Sequence, residues 1–218
     1  MMRNLIFDLD GTLINSEEGI RKSLHSSFLK AKLKMSIPQE DIIIGPPLDE
    51  TIRICNNELN ENEIEAIKIN FKKIYDNELF KLLYVYPNVE NLLESLFNNK
   101  ISIYIGTNKR FKPTNKILKF LSWDKLFKEV YAINKFEKNF KNKTQMLEKL
   151  LEIENISADE TLYIGDKFSD FISANNNKIS FIGANWGNSD FESFNKELTI
   201  LNKLDKQNIN FLISLFKN

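Results

Sequence analysis

Leu5-Ile6-Phe7-Asp8-Leu9-Asp10-Gly11-Thr12-Leu13 is the stretch that decides how this chain is read. Leu5-Ile6-Phe7 is a short apolar run, the pattern of a strand buried on both faces. It runs straight into two aspartates one residue apart. Side chains alternate along a strand, so residues two apart point the same way. The carboxylates of Asp8 and Asp10 are therefore expected to crowd into one spot where the strand ends. Gly11 lets the chain turn sharply, and Thr12 adds a hydroxyl. Like charges gathered in this way need a cation or a proton to coexist. A divalent metal, a phosphate substrate and a nucleophilic aspartate would account for the arrangement together. Asp and Gly are also ordinary turn residues, so other segments must supply partners for these two acids.

The pattern downstream turns helical. Ser16 is placed to cap a helix whose first turn holds Glu17 and Glu18, where the helix dipole favours acids. Ile20, Leu24, Phe28 and Leu29 are expected on one apolar face. Pro38 and Gly45-Pro46-Pro47 mark loops. Helical spacing returns at Leu48, Ile52 and Cys55, and again from Ile64 through Ile67, Phe71, Ile74, Tyr75 and Leu79. No strand of convincing length is expected between Ser16 and Leu83.

Past Pro87 helix and strand patterns alternate. Helices are expected over Val89–Phe97, around Lys116–Leu121, over Lys143–Leu151 and over Phe168–Asn175. Strands are expected at Ile101–Ile105, Val130–Ile133, Thr161–Ile164 and Ile179–Ile182. A short strand near Ile200 and a helix through Leu215 follow. Alternation of this kind implies a parallel sheet covered on both faces. A lone strand before residue 15 cannot build its own sheet, so the helical block reads as an insertion. The expected fold class is α/β, a Rossmann-like parallel sheet core with an inserted α-helical cap domain. Residues 1–14 and 84–218 form the discontinuous core, and 15–83 form the cap.

Composition narrows the function. The 218 residues carry 30 acidic and 30 basic side chains, so no net field favours nucleic acid or an anionic membrane. Cys55 is the single cysteine, which excludes an internal disulfide or a cysteine-cluster zinc site. There is no signal-peptide pattern at the start and no run long enough to span a membrane. A soluble cytoplasmic protein is expected, acting as a monomer or homodimer.

Ligands of open α/β sheets bind beyond the carboxyl ends of the strands. The first strand places Asp8 and Asp10 there, the second Thr107 and Asn108. A later strand places Gly165-Asp166 there, with Asp170 one helical turn on. Lys143 opens the helix before that strand. Lys135, Lys138 and Lys141 compete with it, but Lys143 heads the amphipathic run Thr144, Met146, Leu147, Leu150 and Leu151. Acids, a hydroxyl and a lysine at one rim suit metal-assisted phosphoryl transfer. His25 is expected to be structural or exposed, and Trp123 and Trp186 to be packing residues.

This constellation resembles the haloacid dehalogenase superfamily, in its phosphatase branch. Phe7-Asp8-Leu9-Asp10-Gly11-Thr12-Leu13 is similar to its first motif and Gly106-Thr107-Asn108-Lys109 to its second. Lys143 is similar to the third, and Gly165-Asp166-Lys167-Phe168-Ser169-Asp170 to the fourth. Ile44-Gly45-Pro46-Pro47-Leu48 and Trp186-Gly187 resemble phosphoglycolate phosphatase-like members.

The resemblance implies a role for each residue. Asp8 would be the nucleophile that forms an aspartyl-phosphate. Mg2+ would be held by Asp8, the main-chain carbonyl of Asp10 and Asp166, with Asp170 supporting directly or through water. The Asp10 carboxyl would protonate the leaving alcohol and later deprotonate water. Thr107 and Lys143 would neutralise phosphoryl oxygens, helped by main-chain N–H groups near Leu9 and Asn108. Arg53 could meet an anionic substrate tail; exposure on a solvated helix face is its plainer reading.

The expected function is a magnesium-dependent phosphatase acting on a small phosphorylated metabolite, phosphoglycolate first. Pyrophosphate and nucleoside monophosphates are the alternatives. Sugar-phosphate mutases of the same superfamily carry a cap-helix histidine and a cap-loop arginine where this chain has Ile20 and Leu48. A dehalogenase does not need the second acid, Asp10. A non-catalytic binding protein would have lost Asp8, Asp10 or Asp166.

Overall fold

The computed structural model describes residues 2–44, 47–136, 139–187, 189–191 and 198–216. The first half of the chain runs β1 (Asn4–Phe7), β2 (Ile14–Asn15), α1 (Glu17–Lys30), α2 (Leu48–Cys55), α3 (Glu61–Asn77), β3 (Tyr84–Val85) and α4 (Val89–Asn98). The second half runs β4 (Ser102–Thr107), α5 (Phe111–Phe120), β5 (Glu129–Ala132), α6 (Lys143–Glu154), β6 (Thr161–Gly165), α7 (Phe168–Asn176), β7 (Ser180–Ala184), β8 (Ile200–Leu201) and α8 (Lys206–Ser214). The chain divides into two compact units, Met1–Asn15 with Tyr84–Asn218, and Ser16–Leu83. Among the described residues no helix is long and apolar enough to cross a membrane.

The discontinuous unit is built on a six-stranded parallel sheet in the order β5-β4-β1-β6-β7-β8. Every residue of β1 is buried, which suits a central parallel strand covered on both faces. Phe7 pairs in register with Ile105 of β4 on one side and Ile164 of β6 on the other. The strand order reverses direction at β1, and such a switch point opens a crevice at the strand ends. The residues just past Phe7, Ile105 and Ile164 therefore meet there.

One face of the sheet is closed by α6. Met146, Leu147 and Leu150 are fully buried against Ile6, Tyr104, Tyr131 and Tyr163. Truncating Leu147 to Ala would cost about 2–5 kcal/mol in lost transfer energy and cavity. The Asn142 side chain accepts the Gln145 N–H at 2.9 Å and fixes the first turn of α6.

The second unit holds α1, α2 and α3. The Asn60 side chain accepts the Glu63 N–H, and the Glu63 carboxylate accepts the Asn60 N–H, a reciprocal cap for α3. Ile64, Ile67, Phe71 and Tyr75 form its buried face.

Several details differ from the sequence expectations. Leu29 is 63% exposed, because it lies about 100° round the helix from Phe28. The buried face of α1 is made instead by Leu24 and Phe28 with the small residues Gly19, Ser23 and Ser27. Ser16 stands at the N-cap position of α1 but makes no capping side-chain hydrogen bond. Helix α5 begins at Phe111, with Pro113 in its first turn, where a missing N–H costs nothing. An antiparallel ribbon of β2 and β3, too short for any periodicity to show, flanks the segment that forms the second unit.

Candidate active site

The first wall of the site is the turn that follows β1. The Asp8 N–H still donates to Ile164 O at 2.9 Å, after which the chain leaves the sheet. Leu9 O accepts the N–H groups of Leu13 and Ile14 at 2.9 and 3.1 Å, and Gly11 N–H donates to Ile14 O at 2.8 Å. Gly11 has φ +84°, and a Cβ there would collide with the Asp166 carboxylate. Glycine is needed for both reasons. Trp186 Nε1–H donates to Thr12 O at 2.8 Å. Trp186, half-buried, thus ties down this turn, a role that its position far along the chain conceals.

The second wall comes from β6 and the start of α7. Asp166 and Asp170 are each 1% exposed and Asp8 is 7% exposed. One carboxylate oxygen from each of the three lies within 4.8 Å of the others. Asp170 sits in the first turn of α7, where a solvated acid is common, yet here it turns inward. Lys167 N–H donates to its Oδ2 at 3.1 Å, and Lys143 Nζ donates to its Oδ1 at 2.5 Å. The same ammonium lies 3.2 Å from Asp8 Oδ1. The Tyr163 hydroxyl donates to Gly106 O at 3.1 Å and stands 3.5 Å from Asp170 Oδ1. Thr12 Oγ1 is 3.4 Å from Asp166 Oδ1.

Electrostatics follow from this crowding. Burial pushes the Asp8 carboxyl up to about 6; Lys143 opposes the rise, and Asp170 and Asp10 add to it. Burial, then Asp8 and Asp170, push Asp166 well above the usual carboxylate range. Burial works against the ammonium of Lys143, but Asp170 and Asp8 overcome it and hold its pKa well above normal. Lys143 pairs with Asp8 Oδ1 and Asp170, and the half-exposed Lys167 stands 3.9 Å from Asp166, so three buried carboxylates face a single buried ammonium that reaches only two of them. That donor set has the charge deficit and the oxygen ligands that a hard divalent cation satisfies. Asp8 and Asp166 are the residues best placed to hold it. Both Asp170 oxygens are already engaged, so its main visible contact is with Lys143.

The other predicted residues fall as follows. Thr107 ends β4, is buried, and its Oγ1 accepts the Lys109 N–H at 3.2 Å. Asn108 is exposed beside it. Lys143 is buried as the first residue of α6, whereas Lys141 is exposed. Lys135 is engaged elsewhere, 3.2 Å from Glu129 and stacked on Tyr131. Lys138 lies outside the described residues, as do Gly45 and Pro46 of the expected cap loop. Arg53 belongs to the second unit, where it pairs with Glu61 at 2.6 Å.

Asp10 lies near enough for its charge to raise the Asp8 carboxyl, but it reaches that place from a turn and not from the strand. Strand β1 ends at Phe7, so strand alternation does not carry on to residue 10. The Asp10 carboxylate meets Lys109 Nζ, at 3.1 Å from Oδ1 and 3.0 Å from Oδ2. Sequence reasoning gives Lys109 no role, although it lies inside the second motif. The signal that finds it is spatial: β1 and β4 are neighbours, so their ends meet.

A model of the haloacid dehalogenase-like hydrolases matches residues 5–184. The chain belongs to that family. Among curated relatives of this hydrolase, a 5'-nucleotidase from Pseudomonas aeruginosa is 28% identical over 192 residues, covering 84% of this chain and 83% of its own. Pyrophosphatase PpaX from Listeria innocua is 28% identical over 184 residues, covering 84% and 82%. A phosphoglycolate phosphatase from Pasteurella multocida is 28% identical over 191 residues, covering 83% and 84%. In fold, the hydrolase is similar to a haloacid dehalogenase-like family protein from Streptococcus pneumoniae, with TM-score 0.81, 19% identity and 99% of each chain covered. The three relatives carry phosphatase-type names.

Proposed function

We propose that this hydrolase is a magnesium-dependent phosphatase that acts on a small phosphorylated metabolite through an aspartyl-phosphate on Asp8. The observation that carries the proposal is Asp8 itself. It is a buried carboxylate at the rim of the central strand, and the Lys143 ammonium stands 3.2 Å from its Oδ1. An Asp8 oxygen attacks phosphorus, and the bond from phosphorus to the leaving oxygen breaks. Asp10 gives its carboxyl proton to that oxygen. It then takes a proton from the water that attacks the acyl phosphate, which releases inorganic phosphate and restores Asp8. Lys143 and Thr107 neutralise the phosphoryl oxygens, with main-chain N–H groups near Leu9 and Asn108. Asp8 and Asp166, with the Asp10 carbonyl, would hold magnesium, which would supply charge neutralisation for the transferring group.

Phosphoglycolate is the first substrate to test, with pyrophosphate and nucleoside monophosphates beside it. The names of the three relatives support that set. We assign residues 15–83 as the cap that reads the leaving group. Arg53 is its candidate contact for a carboxylate, since an exposed ion pair with Glu61 is weak enough to exchange.

The test is phosphate release from a metabolite panel, with magnesium and with excess chelator, for the native enzyme and Asp8→Asn. Magnesium-dependent release that Asp8→Asn abolishes is expected. Turnover that survives the chelator or the substitution would overturn the proposal.

A further inference from the structure

We infer that Lys109 is the positioning residue for the acid/base carboxylate of Asp10, an inference that rests on the acid/base role given to Asp10 above. Lys109 Nζ contacts both oxygens of Asp10, at 3.1 and 3.0 Å. The side chains differ in exposure, 7% for Lys109 against 29% for Asp10. An ordinary surface ion pair leaves both partners in water and fixes neither. Without substrate the ammonium is withdrawn from water and takes the ionised carboxylate as its counter-charge. Asp10 must take up a proton before the leaving oxygen departs, and Lys109 then holds it through one oxygen while the other carries that proton. The carboxylate keeps an open side through which a leaving oxygen or a water can approach.

The fold makes this placement specific. Asp10 sits on the turn after β1, held between the Leu9 and Ile14 hydrogen bonds, and Lys109 sits two residues past the end of β4. The neighbouring strands bring the two loops together. The Lys109 N–H donates to Thr107 Oγ1 at 3.2 Å, so one short loop carries a partner of the phosphoryl group and the holder of the proton donor. A carboxylate at the tip of a turn can rotate about its own side chain. Gripped by both oxygens, it is limited to one orientation, and misplacing a catalytic group by an ångström can cost about a hundredfold.

The inference is tested by how a loss depends on the leaving group. Formation of the acyl phosphate from an alkyl phosphate needs an acid, whereas release of nitrophenolate does not. Water attack needs the base whatever left first. With magnesium present, Lys109→Gln is expected to lower kcat/KM on an alkyl phosphate by about tenfold or more, and that on p-nitrophenyl phosphate by less than about twofold. Rapid mixing with p-nitrophenyl phosphate should show a burst of nitrophenolate stoichiometric with enzyme, then slow turnover. Lys109→Arg should recover most of the alkyl activity. In an Asp10→Asn background, Lys109→Gln should add little further loss, since the two act as one unit. That double variant leaves no unpaired charge and remains measurable if the single variant is unstable. Equal losses on both substrates, losses additive with Asp10→Asn, or a gain in kcat/KM would each overturn the inference. If Asp10→Asn alone shows neither the burst nor the leaving-group dependence, the acid/base role of Asp10 fails, and the inference with it. If Asp10→Asn shows both and Lys109→Gln neither, only the inference about Lys109 fails.

Discussion

Lys143 places its ammonium 2.5 Å from Asp170 Oδ1, so the acid in the first turn of α7 anchors the lysine that opens α6. The contact spans 27 residues, and neither side chain is more than 6% exposed. Removing the lysine would strand two carboxylates, since Asp8 is its second partner. Lys143→Ala is expected to lower kcat by about a hundredfold through loss of a preorganised charge, and to destabilise the fold by about 3–5 kcal/mol. Lys141→Ala, at an exposed site, should change either quantity little. Steady-state kinetics and denaturant unfolding of the two variants check this. Greater sensitivity at Lys141 would mean that the wrong lysine has been assigned.

Metal binding and pH should act on stability together. The Asp8 carboxyl rises from 3.8 to about 6 in the folded chain, and Asp166 rises well above its usual range. The metal-free folded state then holds protons that the unfolded chain has already released. Their contribution to stability is therefore fully present below about pH 3.8 and is lost as pH rises through the folded values. A divalent ion binds the carboxylates and displaces those protons. Magnesium should raise the thermal midpoint more at about pH 7.5 than at about pH 5, and Asp8→Asn should shrink both the pH dependence and the metal shift. Thermal unfolding at the two pH values, with and without the ion, measures it. Equal shifts at both would contradict a metal held by these acids.

Specificity should reside in residues 15–83. Core groups that neutralise phosphoryl oxygens, as proposed, would serve any phosphate ester and could not tell leaving groups apart well. Arg53→Ala should reorder the metabolite panel, lowering carboxylate-bearing substrates by about tenfold and sparing small aryl phosphates. Equal losses on every substrate would leave Arg53 no part in recognition.

Much of the fold is legible because a buried parallel strand writes itself as an apolar run. Leu5-Ile6-Phe7 and Leu162-Tyr163-Ile164 are such runs, and each is followed by an acid at the rim. Asp8 and Asp166 stand out for that reason, Lys143 only because it opens an amphipathic helix, and the structure brings the three together with Asp170. What stays hidden depends on strand order or on helix geometry. The grip of Lys109 on Asp10 exists only because β4 lies beside β1. The hold of Trp186 on Thr12 spans 174 residues. The small buried residues of α1 carry no hydrophobic signal, so an apolar pattern points to Leu29 beside Leu24 and Phe28 and passes over Gly19, Ser23 and Ser27.

The central claim is that Asp8 carries the phosphoryl group. Its most direct test is borohydride trapping of the enzyme during turnover of p-nitrophenyl phosphate, followed by peptide mass spectrometry. Borohydride reduces an acyl phosphate to an alcohol, so residue 8 is expected to appear as homoserine, with Asp10, Asp166 and Asp170 unchanged. Active enzyme that yields no reduced residue under the same quench, or reduction at one of the other acids, would contradict the assignment.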